Sequence, residues 1–504
     1  NNRLDTDKEI IPIADFIDKE MIHFSKYDCE RSIGNLIDGF KTSQRKIAYT
    51  CFKRKLTKEL KVAQLAGSVS ETSEYHHGEM SLVGAIIKLA QEYLGSNNLN
   101  ILMPNGQFGT RLEGGSDHAS PRYIYTVLNT LTRMLFPQED DKILNYLNED
   151  GILVEPDHFL PIIPMILVNG GKGIGTGFSY EVLQYNVLTI TKYLKNRLKG
   201  EKQTVDWVPY YEGFKGSITK TAENKYMLKG KYQTLSHDTI RVTELPVGLW
   251  TTQFKEHLEY LMDDKTPKGK KKKPIIKSFK DEGTESMVDF RIRFQPGQLS
   301  NLATKKVDQF QNMLEKTLKL TTSKSATNMY LFDEKQQLKK YLGLEDIVNK
   351  YYPVRLDGYA RRKEYQLKIL EREMNVLSSK ARFVSEVMQG TIVLVKVKKD
   401  VVIETLKNKN YKIIDDDKDY GYLRSMRIDS MEEENWEKLK AELNKVEHQY
   451  IQLKKKGIEK IWTEELENFE VAFKKYQKER DKRVYGAAVK KKSKVKKTKA
   501  TPQK

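Results

Sequence analysis

The feature that most constrains the fold of this chain is a pair of long segments with apolar residues at alternating three- and four-residue spacings. Such spacing aligns the apolar side chains along one helix face, so each segment predicts a long helix with a coiled-coil seam. The first seam ends before Gly390, and the second pauses at Lys454–Gly457 and resumes at Trp462. The seam positions are Leu370, Met374, Leu377, Ala381, Val384 and Met388 in the first arm and Trp436, Leu439, Leu443, Val446, Tyr450 and Leu453 in the second.

The segment between the two arms contains the run Thr391–Val397, which is rich in β-branched residues and predicts a strand. The arms therefore pair most simply as an antiparallel hairpin that carries a small globular tip. We interpret the acidic run Asp415–Asp419 as a loop of this tip. An isolated heptad pattern also fits plain core packing or a structural rod, and it carries no chemistry by itself.

The composition favours a multidomain protein that binds a polyanion. The 504 residues suffice for about two to four domains, and 88 Lys+Arg against 69 Asp+Glu leave a net charge of +19. Nucleic acid or an anionic membrane surface would suit this charge. The most apolar stretch, Phe159–Val168, is interrupted by prolines and is shorter than the roughly 18 residues of a membrane span, which disfavours a membrane role. The two cysteines, Cys29 and Cys51, have neither disulfide-framework nor zinc-ligand spacing, which favours a cytosolic or nuclear protein.

A candidate nucleophile lies in the segment Ala119–Tyr125, where Arg122 directly precedes Tyr123 after the glycine-rich run Asn105–Gly115. A tyrosine hydroxyl has a pKa near 10, so making it fully available at pH 7 requires about 4 kcal/mol of stabilisation by a neighbouring cation. Arginine supplies a permanent charge and a planar fork that fits a phosphate. Taken alone the signal is weak, because this is one of 27 tyrosines and most tyrosines are packing or surface residues.

Three further segments accompany this one in a fixed order: Arg31–Lys46, Glu74–Glu79 and Leu160–Gly177. With all four motifs at these spacings, the chain resembles the DNA breakage-reunion region of eukaryotic-type type IIA DNA topoisomerases. The resemblance is continuous from about Ile11 to Gly216 and looser to about Arg483.

The resemblance implies roles for nine residues. Tyr123 is the expected nucleophile, Arg122 is expected at the scissile phosphate, and His77 is expected to stabilise the transition state, with His76 a weaker candidate. The expected DNA-binding residues are Arg31, Lys41, Arg45, Lys46, His76 and Ile174, of which Ile174 matches an isoleucine that intercalates between base pairs and bends the duplex. No metal ligand is expected among the residues of this chain.

Several of these residues also have an ordinary structural interpretation. An adjacent histidine pair usually points in two directions and is more often structural than catalytic, and Arg45 and Lys46 also fit a solvated helix face. The run around Ile174 also fits a simple turn or a weak phosphate loop that lacks the Lys-Ser/Thr ending of a nucleotide P-loop. The apolar positions from Leu82 to Tyr93 predict a helix from Ser81 to Gly95, which places His77 at an N-terminus that favours an anion.

The expected fold class is α+β and multidomain. We expect a winged-helix domain with the nucleophilic tyrosine over residues 1–162, a mixed α/β tower domain over 163–350, a coiled-coil exit gate with a globular tip over 351–483 and a basic disordered tail over 484–504. Strands are predicted at Gly216–Lys220, Thr239–Thr243 and Met287–Phe294. The lysine-rich loop Pro267–Pro274 fits a DNA contact, a nuclear localisation signal or a solvated surface loop.

The resemblance implies an ATP-hydrolysing type II topoisomerase core that cleaves both strands of a duplex through phosphotyrosine, passes a second duplex and reseals the break. The expected partners are duplex DNA, a second copy of the chain, and ATPase and metal-binding modules elsewhere in the polypeptide or on a partner subunit. Those modules would bind ATP and Mg²⁺, and without them we expect poor cleavage. We expect a nuclear protein. The alternatives are an inactive DNA-binding and dimerisation scaffold and, with less support, a tyrosine recombinase, which would need a different order of arginines and histidine and no gate.

Overall fold

A computed structural model describes residues 4, 10–201, 205–265, 268–394, 396–427 and 432–497, with the backbone alone from 487 onward. The chain divides into two compact units. Unit 1 contains the described residues of Asn1–Gln138, Leu144–Arg355 and Thr463–Lys504, and unit 2 contains Glu139–Ile143 and Leu356–Trp462. Most of residues 1–162 and all of residues 163–350, which we expected as separate domains, fall in unit 1.

The secondary structure is mixed, as expected for an α+β chain. The helices are α1 (Ile13–Phe16), a π-helical turn (Ile17–Met21), α2 (Ile22–Ser32), α3 (Thr42–Lys53), α4 (Val62–Ser73), α5 (Glu79–Ala90), α6 (Thr132–Leu135), a 3₁₀ turn (Gln138–Asp140), α7 (Met165–Asn169), α8 (Val187–Leu198), α9 (Thr251–Met262), α10 (Gln298–Thr304), α11 (Met313–Thr317), α12 (Leu344–Met388), α13 (Lys399–Asn408), α14 (Gly421–Arg424), α15 (Glu433–Lys455) and α16 (Ile458–Lys497). The strands are β1 (Leu60–Lys61), β2 (Tyr125–Thr126), β3 (Tyr146–Glu149), β4 (Ile152–Pro156), β5 (Gly171–Gly175), β6 (Phe178–Val182), β7 (Ser217–Ala222), β8 (Lys225–Lys229), β9 (Lys231–Thr234), β10 (Thr239–Glu244), β11 (Ile276–Asp281), β12 (Phe290–Phe294), β13 (Thr321–Ser325), β14 (Met329–Phe332) and β15 (Leu338–Tyr341).

Helices α3, α4 and α5 of unit 1 pack against one another and carry the site segments. Their inward faces bury apolar side chains such as Ile47, Leu65 and Ile86, each 0% exposed. Helix α5 begins two residues before the predicted Ser81 and ends at Ala90 rather than Gly95. The helix ends early because the Gln91 amide donates hydrogen bonds to two loop carbonyls, which holds the chain in an extended turn.

The second half of unit 1 contains a four-stranded antiparallel sheet in the order β11-β12-β10-β9 and a three-stranded one in the order β13-β8-β7. Side chains alternate between buried and less buried along β10 and β12, as half-buried strands require. Phe254 and Leu258 of α9 belong to the same buried cluster as Phe290 of β12. The strands predicted near Ser217, Thr239 and Phe290 are all present.

In unit 2, α12 ends at Met388, and Gly390 adopts a positive φ of 72°, which is where the first seam pattern predicted a helix end. The second arm is helical over α15, breaks at the predicted lysine-glycine pause and continues as α16. Lys363 Nζ donates to the carbonyls of Lys454 and Lys456 at 3.1 and 2.6 Å, so the end of α15 lies beside α12 in this unit.

The strand predicted over Thr391–Val397 is wrong for the residues of that run that the structure describes, which form bends, turns and extended chain. Ile392 instead inserts into a helical core with Phe383, Leu406 and Leu423, so burial replaces strand pairing. The acidic run is a loop, as predicted, and Asp415 and Asp419 pair with Arg372 and Lys399.

The basic tail that we expected to be disordered over 484–504 is instead helical as far as Lys497, as a continuation of α16. Residues 498–504 of the expected tail lie outside the described residues. Pro267 of the lysine-rich loop also lies outside them, whereas Lys272 of that loop is held by the carbonyl of Tyr260 and lies over its ring. No helix among the described residues is long and apolar enough to cross a membrane.

Candidate nucleic-acid interface and active site

Tyr123 lies on a loop that is fastened to the protein on both sides. Its backbone N–H donates to the Ser120 carbonyl at 2.9 Å, and the carbonyls of Pro121 and Ile124 accept from the first residues of α4. Ile124 is buried and anchors the loop, whereas 71% of the Tyr123 side chain is exposed. The sequence therefore alternates an apolar anchor with a projecting tyrosine, which fixes the backbone while leaving the hydroxyl accessible.

Arg122 is also exposed. Within the described part of the chain, neither side chain forms a hydrogen bond or an ion pair, and no ring contact joins Tyr123 to His76 or His77. The guanidinium and the hydroxyl are thus free to meet the same phosphate. Arg122 and Tyr123 are neighbours in the sequence and both exposed, and among the described residues no direct bond joins either of them to the predicted histidines.

His76 and His77 converge on one atom instead of pointing in two directions. The hydroxyl oxygen of Tyr27, on α2, lies 2.8 Å from His76 Nε2 and 2.6 Å from His77 Nε2. The two imidazole centroids are 4.6 Å apart, and Tyr75 meets the His77 ring edge-on. The pair directly precedes Gly78 and the first residue of α5, so the predicted position at a helix N-terminus is correct.

The electrostatic surroundings hold His77 in its neutral form. Partial burial lowers the pKa of His77 most, and the charges of Arg31, His76 and Lys46 lower it further. Burial likewise raises the pKa of the Tyr27 hydroxyl. At neutral pH Tyr27 and His77 are therefore uncharged hydrogen-bonding groups beside fixed cations.

Two adjoining cavities surround this region, and exposed Arg31 lines both. The first has a volume of about 340 Å³ and is lined by the Tyr27–histidine cluster. The second, of about 690 Å³, is lined by the cations Lys41, Lys88 and Lys172. Lys41 Nζ donates to the Lys172 carbonyl at 2.9 Å, and burial lowers the pKa of its ammonium group with help from Lys88. A groove with several cations of this kind suits a phosphate backbone.

Arg45 and Lys46 are placed differently from the expectation, because both are buried and neither forms an exposed clamp. Arg45 makes a two-pronged ion pair with Asp38 at 2.8 and 3.2 Å. Lys46 Nζ lies 2.9 Å from the Glu155 carboxylate, with which it shares the interior. The physical reason is that a buried charge needs a close partner, and each cation has one inside the protein. We therefore assign both residues a structural role.

Ile174 projects from the hairpin formed by β5 and β6 and is 75% exposed. The three glycines of β5 face inward, where a Cβ on Gly173 would lie 2.0 Å from the Ser32 carbonyl oxygen and one on Gly171 2.7 Å from the Tyr180 hydroxyl. The strand can lie against α2 only because these side chains are absent. Since side chains alternate along a strand, this packing directs Ile174 outward.

Among the described residues, no group of three or more His, Cys, Asp or Glu side chains is arranged to hold a metal ion. Tyr27, Lys88 and Lys172, which line the two cavities, were not predicted from the sequence. Only their basic or aromatic character near the motifs gave a signal, and that character is common in this chain.

The sequence profile of the family that contains the A subunits of DNA gyrase and topoisomerase IV matches residues 31–467. The chain belongs to this family. It is 39% identical to DNA topoisomerase 2 of Arabidopsis thaliana over 93% of its own length and 34% of that protein, and 39% identical to DNA topoisomerase 2-alpha of Homo sapiens over 90% of its length and 31% of that protein. The predicted resemblance to the eukaryotic-type enzymes is confirmed.

A solved structure of the Plasmodium falciparum topoisomerase II DNA-binding, cleavage and re-ligation domain superposes with a TM-score of 0.83 at 38% identity. The match covers 95% of this chain and 66% of that one. The fold described above is thus that of a topoisomerase II cleavage domain. The chain spans about a third of the length of the curated relatives it matches.

Proposed function

We propose that this chain is the DNA breakage-reunion core of a type II topoisomerase that cuts both strands of one duplex, lets a second duplex pass and reseals the first. The observation that carries the proposal is the exposed Arg122–Tyr123 pair on a fastened loop, in a chain of this family. A tyrosine in such a place, beside a permanent cation, is suited to attack a phosphodiester.

In the proposed reaction the Tyr123 oxygen forms a bond to phosphorus, and the bond from phosphorus to one deoxyribose oxygen breaks. The tyrosine proton goes to solvent or a base, and the departing oxygen takes up a proton as a hydroxyl. Arg122 would hold two phosphate oxygens and offset the developing charge. Because the phosphotyrosine is itself a phosphodiester, the hydroxyl can attack it and restore the strand without further energy input.

The cationic groove with Arg31 and Lys41 would hold the backbone near the cleavage point, and His77 would stabilise the transition state. Ile174 would enter a base step and bend the duplex at a cost of a few kcal/mol, offset by wider contact with protein. The outward side chain on a glycine-packed hairpin supports this role, since an isoleucine that is 75% exposed adds little to the packing of the core.

We propose that the chain acts as a homodimer, with the long helices of unit 2 as a coiled-coil exit gate and unit 1 divided into a winged-helix and a tower region.

The other functional modules of the enzyme would lie outside this chain. ATP and Mg²⁺ would bind to modules elsewhere in the polypeptide or on a partner subunit. In such enzymes Mg²⁺ offsets charge at the scissile phosphate. The described residues hold no such site, so we derive no step through it. The site of action would be the nucleus.

The alternative is a scaffold that binds DNA and dimerises without cleaving. Arg122 and Tyr123 are exposed and unpaired among the described residues, which argues against it, since a scaffold has no physical need for an accessible tyrosine beside a free guanidinium.

A covalent-adduct assay on a denaturing gel decides between the two functions. The chain, supplied with the metal-binding module of a relative and Mg²⁺, is mixed with supercoiled plasmid and compared with Tyr123→Phe. Adduct in the wild type and none in the variant, at equal DNA binding, is the expected result. Adduct formed by Tyr123→Phe would remove the assignment, and no adduct in either protein would favour the scaffold.

A further inference from the structure

The hydroxyl of Tyr27 is shared between two imidazoles, and this limits where hydrogens can lie. A hydroxyl group has one hydrogen to donate and lone pairs to accept. Since both partners are Nε2 atoms, at 2.8 and 2.6 Å, Tyr27 donates to one of them and accepts from the other. When both rings are neutral, one histidine therefore carries a hydrogen on Nε2 and the other does not.

A second hydrogen bond of His76 shows which of the two rings carries the hydrogen on Nε2. His76 Nδ1 lies 3.3 Å from the Glu74 carbonyl oxygen, and a carbonyl only accepts, so Nδ1 carries the hydrogen. His76 Nε2 then accepts from Tyr27. His77 Nε2 must in turn carry a hydrogen and donate to the Tyr27 oxygen. This leaves a lone pair on His77 Nδ1, which forms no hydrogen bond with any described residue.

We propose that Tyr27 is a positioning residue that fixes His76 as the Nδ1–H tautomer and His77 as the Nε2–H tautomer, with His77 Nδ1 left as the proton-accepting atom of the cavity. The part that Tyr27 plays in cleavage rests on the proposed function, whereas the assignment of the two tautomers does not. Tyr27 is 42% exposed and lies one helical turn before Arg31 on α2, so its hydroxyl is not needed to fill a core.

The charges around the cluster control whether His77 can take up a proton. Arg31 on α2 and Lys46 on α3 oppose a proton on His77, while Glu30 on α2 and Glu149 on β3 contribute negative charge at Tyr27. An entering phosphate is an anion and offsets the two cations. His77 can then take a proton from solvent at Nδ1 and donate that N–H to a phosphate oxygen, with its ring held by Tyr27.

The test is nitrogen NMR of the full chain labelled with ¹⁵N only in histidine, since eight histidines give a spectrum simple enough to assign with His76→Gln and His77→Gln. Correlations through the ring protons distinguish Nδ1–H from Nε2–H tautomers. At pH 7.5 we expect opposite tautomers in the wild type. In Tyr27→Phe we expect mixed tautomers for His77, whereas His76 keeps its Nδ1–H bond to the Glu74 carbonyl and changes less. The control Tyr365→Phe, a partly exposed tyrosine of α12, leaves the spectrum unchanged.

The same tautomer in both rings, or an unchanged spectrum in Tyr27→Phe, would overturn the proposal. A second readout is the adduct-forming rate, which Tyr27→Phe should lower about tenfold with little change in DNA affinity, the order expected for one lost hydrogen bond. An equal rate in both proteins would overturn the catalytic part. Opposite tautomers in a chain that forms no adduct at all would support the positioning role of Tyr27 and count against the cleavage function. Failure of the positioning role can therefore be distinguished from failure of the proposed function.

Discussion

Replacing Gly173 with alanine tests how the hairpin of β5 and β6 presents Ile174. A Cβ at this position would lie 2.0 Å from the Ser32 carbonyl oxygen and 2.8 Å from a ring carbon of Tyr180. Non-bonded atoms of this kind settle near 3.5 Å, so the hairpin must move away from α2 by about 1 Å or more. The obstructing oxygen is a backbone atom at the end of a helix, and it cannot rotate aside.

Such overpacking costs typically about 1–3 kcal/mol. Gly173→Ala should therefore lower the urea midpoint and speed hydrogen exchange in residues 171–182, measured by mass spectrometry. Because Ile174 moves with the strand, DNA bending measured by fluorescence transfer across a labelled duplex should also fall.

The control is Gly67→Ala on an exposed turn of α4, where an added Cβ meets nothing within 4 Å. There alanine should stabilise the helix by up to about 1 kcal/mol. Wild-type stability and exchange in Gly173→Ala would refute the claim that glycine packing fixes the hairpin.

Three further predictions concern single side chains. Ile174→Ala should reduce DNA bending more than DNA affinity, because it removes the wedge and leaves the cations in place. Arg45→Ala should destabilise the fold by about 3–5 kcal/mol, since it leaves the fully buried Asp38 carboxylate without its partner. Burial raises the pKa of the Cys51 thiol to about 12, so at pH 8 only roughly one thiol in ten thousand is ionised and thiol reagents should modify Cys51 only after unfolding.

Each of these has a matched comparison. Bending by Ile174→Ala that equals the wild type would reject the wedge. Arg31→Ala, an exposed arginine nearby, should weaken DNA binding and leave the urea midpoint nearly unchanged; the reverse pattern for the two arginines would contradict their assignments. Rapid labelling of Cys51 in the folded chain, followed by peptide mapping, would show that its burial is wrong.

Local patterns in the sequence were enough for the long helices and for three of the four strands that we predicted, although the structure has fifteen strands among its described residues. The ends of α12 and α15 followed from heptad spacing and glycine, which depend only on nearby residues. The strand prediction for Thr391–Val397 was wrong because strand propensity competes with burial. Ile392 packs into a helical core instead of pairing with a second strand.

The sequence predicts the site where a local motif determines which side chain is exposed. It does not predict contacts between residues that are far apart in the sequence. The exposure of Tyr123 and Ile174 follows from their motifs and their alternation with buried neighbours. The pairing of Lys46 with Glu155 and of Tyr27 with His77 joins residues far apart in the chain, and no local pattern encodes such contacts. Charge alone therefore misplaced Lys46 at the surface.

The most direct measurement is to locate the residue that carries DNA. Adduct formed in the presence of the metal-binding module is treated with nuclease and protease, and the nucleotide-bearing peptide is sequenced by mass spectrometry. We expect a nucleotide linked to the oxygen of Tyr123 and to no other residue. A nucleotide on another tyrosine, or on a histidine of the Tyr27 cluster, would contradict it.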